Sequence, residues 1–143
     1  MGTVRHILQK KGHEVLSITP DSTVYYALEY MLEMNVGALL VIDEGRFAGI
    51  FTERDYARKV ILKGKASRET VVKEIMSEHP VTVTPDDTVE DCMKLMTQKY
   101  IRHLPVLEKG ELVGLLSIGD IVKYIIEEQK FIIDNLEHYI SGQ

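Results

Sequence analysis

Two heptapeptides hold the side chains best placed to do chemistry. Residues 49–55 read Gly-Ile-Phe-Thr-Glu-Arg-Asp, and residues 114–120 read Gly-Leu-Leu-Ser-Ile-Gly-Asp. Each sets a glycine and two apolar residues before a hydroxyl, and an aspartate three positions after it. An apolar run that ends in Thr or Ser reads as a strand passing into the cap of a helix. The first turn of a helix has unpaired N–H groups and a positive dipole end, which together attract anions. Thr52 offers a hydroxyl there, and Arg54 a fixed cation whose fork suits phosphate. Asp55 only accepts hydrogen bonds, and the two adjacent hydroxyls of a ribose can satisfy its two oxygens. These groups suit a phosphorylated ribose. A capping Thr with a first-turn Asp is also an ordinary way to begin a helix. Its recurrence at one place in a repeated unit is what favours the ligand reading.

The recurrence belongs to a longer duplication. Without a gap, the segment from Thr19 to Asp55 lies on the segment from Thr84 to Asp120. Thr-Pro-Asp, the turn glycines Gly45 and Gly110, and the glycines Gly49 and Gly114 coincide. Each copy opens with a short alternating run, Val15–Ile18 or Val81–Val83, expected as a strand. A Pro-Asp turn and capping candidates follow, Ser22 and Thr23 in the first copy and Asp87 and Thr88 in the second. Val24, Ala27, Leu28, Met31 and Leu32 then fall at helical spacing, as do Val89, Cys92, Met93 and Met96. A hairpin with turns at residues 43–46 and 108–111 leads into the heptapeptide. The unit is β-α-β-β-α, and each three-stranded sheet has one apolar face left to cover. The other copy can cover it, which predicts an α+β fold of two tandem repeats packed with pseudo-two-fold symmetry, plus a C-terminal helix. The expected divisions are residues 1–70, the first repeat with an N-terminal helix and a linker; 71–126, the second repeat; and 127–143, a C-terminal helical extension. Val-Arg-His-Ile-Leu near the N-terminus plays the part of Val-Lys-Glu-Ile-Met before the second copy, with extra residues around Lys11-Gly12-His13.

Composition narrows the function. A net charge of −5 in 143 residues argues against general nucleic-acid binding, which needs a basic face. No stretch approaches a membrane helix, and the N-terminus lacks the form of a secretory signal, so a cytoplasmic protein is expected. Cys92 is the lone cysteine; on the apolar stripe of a helix it reads as a buried, inert thiol. The histidines lack metal-ligand spacing, and no nucleophile stands with a base, so neither a metal site nor an enzyme is expected.

The gapless duplication, with a glycine, two apolar residues, Thr or Ser, and a following Asp closing each hairpin, resembles a pair of cystathionine-β-synthase (CBS) domains, a Bateman module. The wording Glu-Arg-Asp-Tyr-Ala-Arg-Lys-Val-Ile, Ile-Arg-His-Leu-Pro-Val and Ser-Ile-Gly-Asp-Ile-Val is similar to stand-alone members from bacteria and plant organelles. The resemblance implies two clefts between the repeats that bind adenosyl compounds: AMP or NAD foremost, with ATP, ADP or S-adenosylmethionine as further candidates. It also implies dimers in which four repeats form a disc. Carried over residue by residue, one site comprises Thr52, Arg54 and Asp55 with Val81, Tyr100, Ile101, Arg102 and His103. The other comprises Ser117, Gly119 and Asp120 with Ile18, Val36, Gly37 and Ala38. Arg54, Arg58 and Arg102 are the candidate phosphate contacts. Gly119 stands where Arg54 stands in the first copy, so the Asp55 site is expected to be the stronger. The basic run from Arg58 to Lys73 reads as a solvated face or as a collar for further phosphates.

The tail continues the last helix, and Ile125, Ile126, Ile132, Ile133, Leu136 and Ile140 make a stripe too apolar to leave in water. It is expected to form a homodimer through helices. The functional expectation is a regulatory module that senses an adenine nucleotide and signals to a separate, unidentified protein by a change in repeat or dimer packing. The alternative is a structural dimerisation scaffold with vestigial clefts.

Overall fold

The computed structural model describes residues 2–141. The first half runs α1 (Val4–Lys11), β1 (Ser17–Ile18), α2 (Val24–Met34), β2 (Ala38–Asp43), β3 (Arg46–Thr52) and α3 (Glu53–Lys59). The second half runs α4 (Val72–Ile75), α5 (Val89–Lys99), β4 (His103–Glu108), β5 (Glu111–Ser117) and α6 (Ile118–Ser141). Local chemistry sets matching boundaries in the two halves. Thr23 caps α2 by accepting from the Tyr26 N–H, and Thr88 caps α5 by accepting from the Asp91 N–H. Each helix stops on a left-handed residue at φ 55°, Asn35 and Tyr100. The hairpins turn through Glu44-Gly45 and Lys109-Gly110, all four at positive φ, the geometry that matches strand twist in a two-residue loop. Both hairpins carry a bulge at the same place, between Val41 and Ile42 and between Val106 and Leu107.

The two sheets differ in one respect. In the first, β1 pairs parallel with β2, and the Leu40 N–H donates to the Leu16 carbonyl. In the second, the strand expected at Val81–Val83 is reduced to a single parallel bridge from Val83 to Val106. The reason is legible in the chain. Pro105 occupies the position of Leu40, and proline has no N–H to donate to a third strand.

The leading helices exchange. Val4, Ile7 and Leu8 of α1 are buried in the core of the second repeat, with Val89, Cys92, Met96, Leu104, Leu116 and Ile121. Val72 and Ile75 of α4 are buried in the core of the first, with Val24, Met31, Leu39 and Phe51. The exchange is symmetric down to its hydrogen bonds. Val4 donates to the Asp87 carbonyl and Arg5 to that of Pro85; Val72 donates to Ser22 and Lys73 to Pro20. Division by sequence and division by core therefore part company at α1 and α4, which tie each half to the other. The seam between the sheets is apolar, with Ala38, Leu40 and Ile50 buried against Val15, Phe47, Leu112 and Leu115. Full burial of a leucine or isoleucine such as Leu40 or Ile50 contributes about 1.5–3 kcal/mol relative to exposure, so the seam is favoured over two bare sheets.

Candidate functional site

The two heptapeptides form matching turns at the ends of β3 and β5. The Thr52 N–H donates to Asp55 Oδ2 at 3.0 Å, and the Ser117 N–H donates to Asp120 Oδ2 at 2.8 Å. In return the Asp55 N–H donates to the Thr52 hydroxyl at 3.2 Å and the Asp120 N–H to the Ser117 hydroxyl at 3.1 Å. Each box fixes its carboxylate at the start of a helix. The strand entering each hairpin is tied to the same turn: Glu53 N–H donates to the Gly37 carbonyl and Ile118 N–H to that of Arg102.

Beyond the box the two sites diverge. Asp55 is 6% exposed, and both its oxygens are engaged, by Thr52 and Lys59 of its own repeat and by Ser77 from the chain that follows α4. Oδ2 also accepts from the Thr52 hydroxyl at 3.1 Å; Oδ1 meets Lys59 Nζ at 3.1 Å and the Ser77 hydroxyl at 3.4 Å. Asp120 is more open. Lys11, arriving from the end of α1, donates to Oδ2 and to the Leu115 carbonyl; Oδ1 has no hydrogen-bond partner among the described residues. Burial alone would raise the Asp120 carboxyl, but the Lys11 and Ser117 hydrogen bonds and the Lys11 charge outweigh it and hold the group below its ordinary value. Asp120 is thus an anion at neutral pH.

A cleft of about 530 Å³ opens at Asp120 along the seam. Lys11, Leu115, Ser117, Asp120 and His103 form one wall. The first repeat supplies the other, with Val15, Leu16, Met34 and the run Asn35 to Ala38, and with Glu14, the cleft's second carboxylate, on that wall. Its chemistry is mixed: apolar side chains and strand backbone at one end, a carboxylate, a hydroxyl and an ammonium at the other. Such a cleft can sandwich a flat apolar ring while its backbone groups read the ring's edge, and it can hold a diol at the carboxylate.

The expected residues are distributed as follows. Ser117, Asp120, Val36, Gly37 and Ala38 meet in this cleft. Ile18 is buried in the core of the first repeat, while Leu16, two residues earlier on the same strand face, lines the cleft in its place. Gly119 is exposed beside it, and a β-carbon there would make an ordinary contact with the Ser117 hydroxyl at 3.5 Å. His103, expected with Asp55, instead lines the Asp120 cleft. Its backbone pairs with Ser117 across the hairpin, and its ring lies near Gly37, which fixes it on that side. Burial first, and then the Lys11 charge, lower the His103 imidazole below its ordinary value of 6.5. On the other side, Thr52 and Asp55 are joined, Val81 and Ile101 are half-buried, and Tyr100 and Arg102 are exposed. Arg54, Arg58 and Arg102 lie exposed, with no ion pair among the described residues. The expectation of a stronger Asp55 site does not fit this geometry, because that carboxylate is already saturated by Thr52, Lys59 and Ser77. The expectation missed Lys11 and Leu16. Lys11 could not be found by aligning the repeats, because α1 belongs to one copy by sequence and to the other by packing. No group of three or more potential metal ligands occurs among the described residues.

Comparison with known proteins places this architecture. The family model for the CBS domain matches residues 4–62 and 72–127. The chain is 41% identical over 149 residues to the mitochondrial CBS domain-containing protein CBSX3 of Arabidopsis thaliana, covering 98% of this chain and 72% of that one. A protein with CBS domains from Burkholderia ambifaria, named as a candidate for signal transduction, is 47% identical, with TM-score 0.85 over 89% of this chain and 96% of that one. A hexameric CBS-CP12 protein from bloom-forming cyanobacteria is 31% identical, with TM-score 0.74 over 85% of this chain and 70% of that one.

Proposed function

The chain belongs to the CBS-domain family, and on that premise we propose that it is a regulatory module sensing an adenine nucleotide in the seam cleft at Asp120. The observation that carries the reading is the composition of that cleft: an apolar slot from one repeat faces an ionised carboxylate and a hydroxyl from the other. The adenine lies between Leu16 and the Val36–Ala38 segment that enters β2, and its edge meets backbone groups. The ribose diol takes Asp120, with Ser117 beside it. AMP and NAD are the leading ligands; ADP, ATP and S-adenosylmethionine share the adenosine. Because the cleft walls come from different repeats, a ligand that bridges them favours one packing of the repeats over another, which is the thermodynamic requirement for signalling.

The listener is a separate protein, reached through the packing of subunits. A homodimer through helices is supported by the apolar residues that α6 leaves in water, among them Ile126 at 60% and Ile140 at 82% exposed. The cyanobacterial CBS-CP12 relative is described as hexameric. Thermal unfolding with AMP, ADP, ATP, NAD, NADH and S-adenosylmethionine tests the reading. At a hundredfold excess over Kd a true ligand stabilises by about 2.7 kcal/mol. Asp120→Ala should abolish the shift. A shift with none of these ligands would favour a scaffold with vestigial clefts, and turnover of a bound nucleotide would favour an enzyme.

A further inference from the structure

The cavity does not end at Asp120. A second one, of about 480 Å³, lies between α1 and the first turns of α6, and Lys11 and Asp120 line both. Its other walls are Ile7 and Lys10 from α1 and Lys123, Tyr124 and Glu127 from α6. Three ammonium groups therefore converge on one groove in a protein whose net charge is −5. Lys10 sits 3.6 Å from Glu127 and 5.7 Å from the centroid of the Tyr124 ring. Lys123 makes no ion pair among the described residues. Lys11 is the hinge between the cavities, held at present by Asp120 and the Leu115 carbonyl.

The geometry points to this groove as a phosphate subsite, continuous with the seam cleft and selective for adenosine bearing two or more linked phosphates. The assignment rests on the adenosyl reading of the cleft and names what that reading leaves open. A ribose diol on Asp120 competes with Lys11 for the carboxylate oxygens. The released ammonium has the groove beside it, where it meets the first phosphate. Lys10 and Lys123 lie further along and meet the next. Arg54, which has no counterpart at Gly119, is thereby replaced by cations from a different element. A nucleoside di- or triphosphate and a dinucleotide share this chemistry.

Calorimetry on the full chain separates the outcomes. The titrants are adenosine, AMP, ADP, ATP and NAD, and inorganic tripolyphosphate alone. ATP or NAD should bind about tenfold or more tightly than AMP, through charge-assisted hydrogen bonds to the added phosphate. Lys123→Ala and Lys10→Ala, both at exposed positions, should weaken the preferred polyphosphate ligand about tenfold and leave adenosine unchanged. A preference for ATP over NAD assigns an open chain, and the reverse a dinucleotide. Equal affinity for AMP, ATP and NAD, or equal loss of adenosine and ATP in Lys123→Ala, overturns the subsite. Tripolyphosphate tells the two readings apart. If it binds wild type and not the Lys10→Ala, Lys123→Ala double variant while adenosine fails to bind, the groove stands and the adenosyl reading falls. If adenosine binds and depends on Asp120 while tripolyphosphate does not bind and added phosphates do not tighten binding, the reverse holds. Failure of both overturns both.

Discussion

Two aspartates with the same sequence context have different fates, and single side chains account for the difference. Asp55 spends its oxygens on Lys59, Ser77 and Thr52. Asp120 has Lys11 on one oxygen and the cleft beside it. Asp120→Ala should therefore remove the proposed nucleotide binding at a smaller cost in stability than Asp55→Ala, which should act chiefly on stability. Breaking a buried pair by deleting one partner costs about 3–5 kcal/mol, discounted here because Lys59 is partly exposed; urea unfolding measures it. His103 and Asp120 also set the acid limit. Both are held below their ordinary values, 6.5 and 3.8, so the stability they confer is complete above those values and is lost as pH falls through the lower folded ones. Unfolding midpoints should drop first just below pH 6.5 through His103, and again below pH 3.8 through Asp120. His103→Gln should erase the first step. At Cys92, burial foremost and then the Asp87 and Asp91 charges push the thiol up to about 11. A thiol-specific reagent at pH 8 should leave it unmodified in the folded protein and react rapidly in urea.

At the scale of elements, the pseudo-symmetry is broken by three residues. The leading helices match one another at an offset three residues longer than the bodies of the repeats, owing to the extra residues around Lys11-Gly12-His13. The insertion makes α1 eight residues long where α4 has four, and the added turn delivers Lys11 to Asp120. In the first repeat the chain after α4 instead pairs Ser77 with Ile50 and closes over Asp55. Gly49 is required for that pairing. A β-carbon there would lie 2.4 Å from the Ser77 carbonyl oxygen, which is backbone and cannot step aside. At Gly114 the obstruction is the flexible end of Leu8, at 2.7 Å. Gly49→Ala should cost about 1–3 kcal/mol, the range for overpacking, and Gly114→Ala less; equal losses in urea unfolding would contradict this. The helices, hairpins, caps and turn glycines were legible because local periodicity and φ requirements dictate them. The missing third strand was legible in principle from Pro105. The exchange of α1 and α4 was not, since Val-Arg-His-Ile-Leu states an apolar face and not which core receives it. Lys11, and with it the better cleft, was hidden for the same reason.

For the whole molecule, the exchange means that neither half has a complete core alone, so the repeats should unfold together. What the single chain does not cover is α6 beyond its first turns, exposed over residues 129–141. No described helix is long and apolar enough to cross a membrane, yet Ile126, Ile133 and Ile140 recur every seven residues and are all more than half exposed, the spacing of a helix seam. Replacing Ile126 and Ile133 by glutamate should reduce the assembly mass in sedimentation equilibrium, while unchanged mass would remove α6 from the interface. Within the single chain, the proposal is that adenosine binds at the seam with its ribose on Asp120. Amide chemical-shift mapping of the labelled chain during titration with AMP tests it most directly, since AMP carries the moiety common to the nucleotide candidates. The account predicts saturable shifts concentrated at Leu16, Val36, Gly37, Ala38, Ser117 and Asp120, absent in Asp120→Ala. Saturable shifts gathered elsewhere, or none at millimolar AMP, would contradict it.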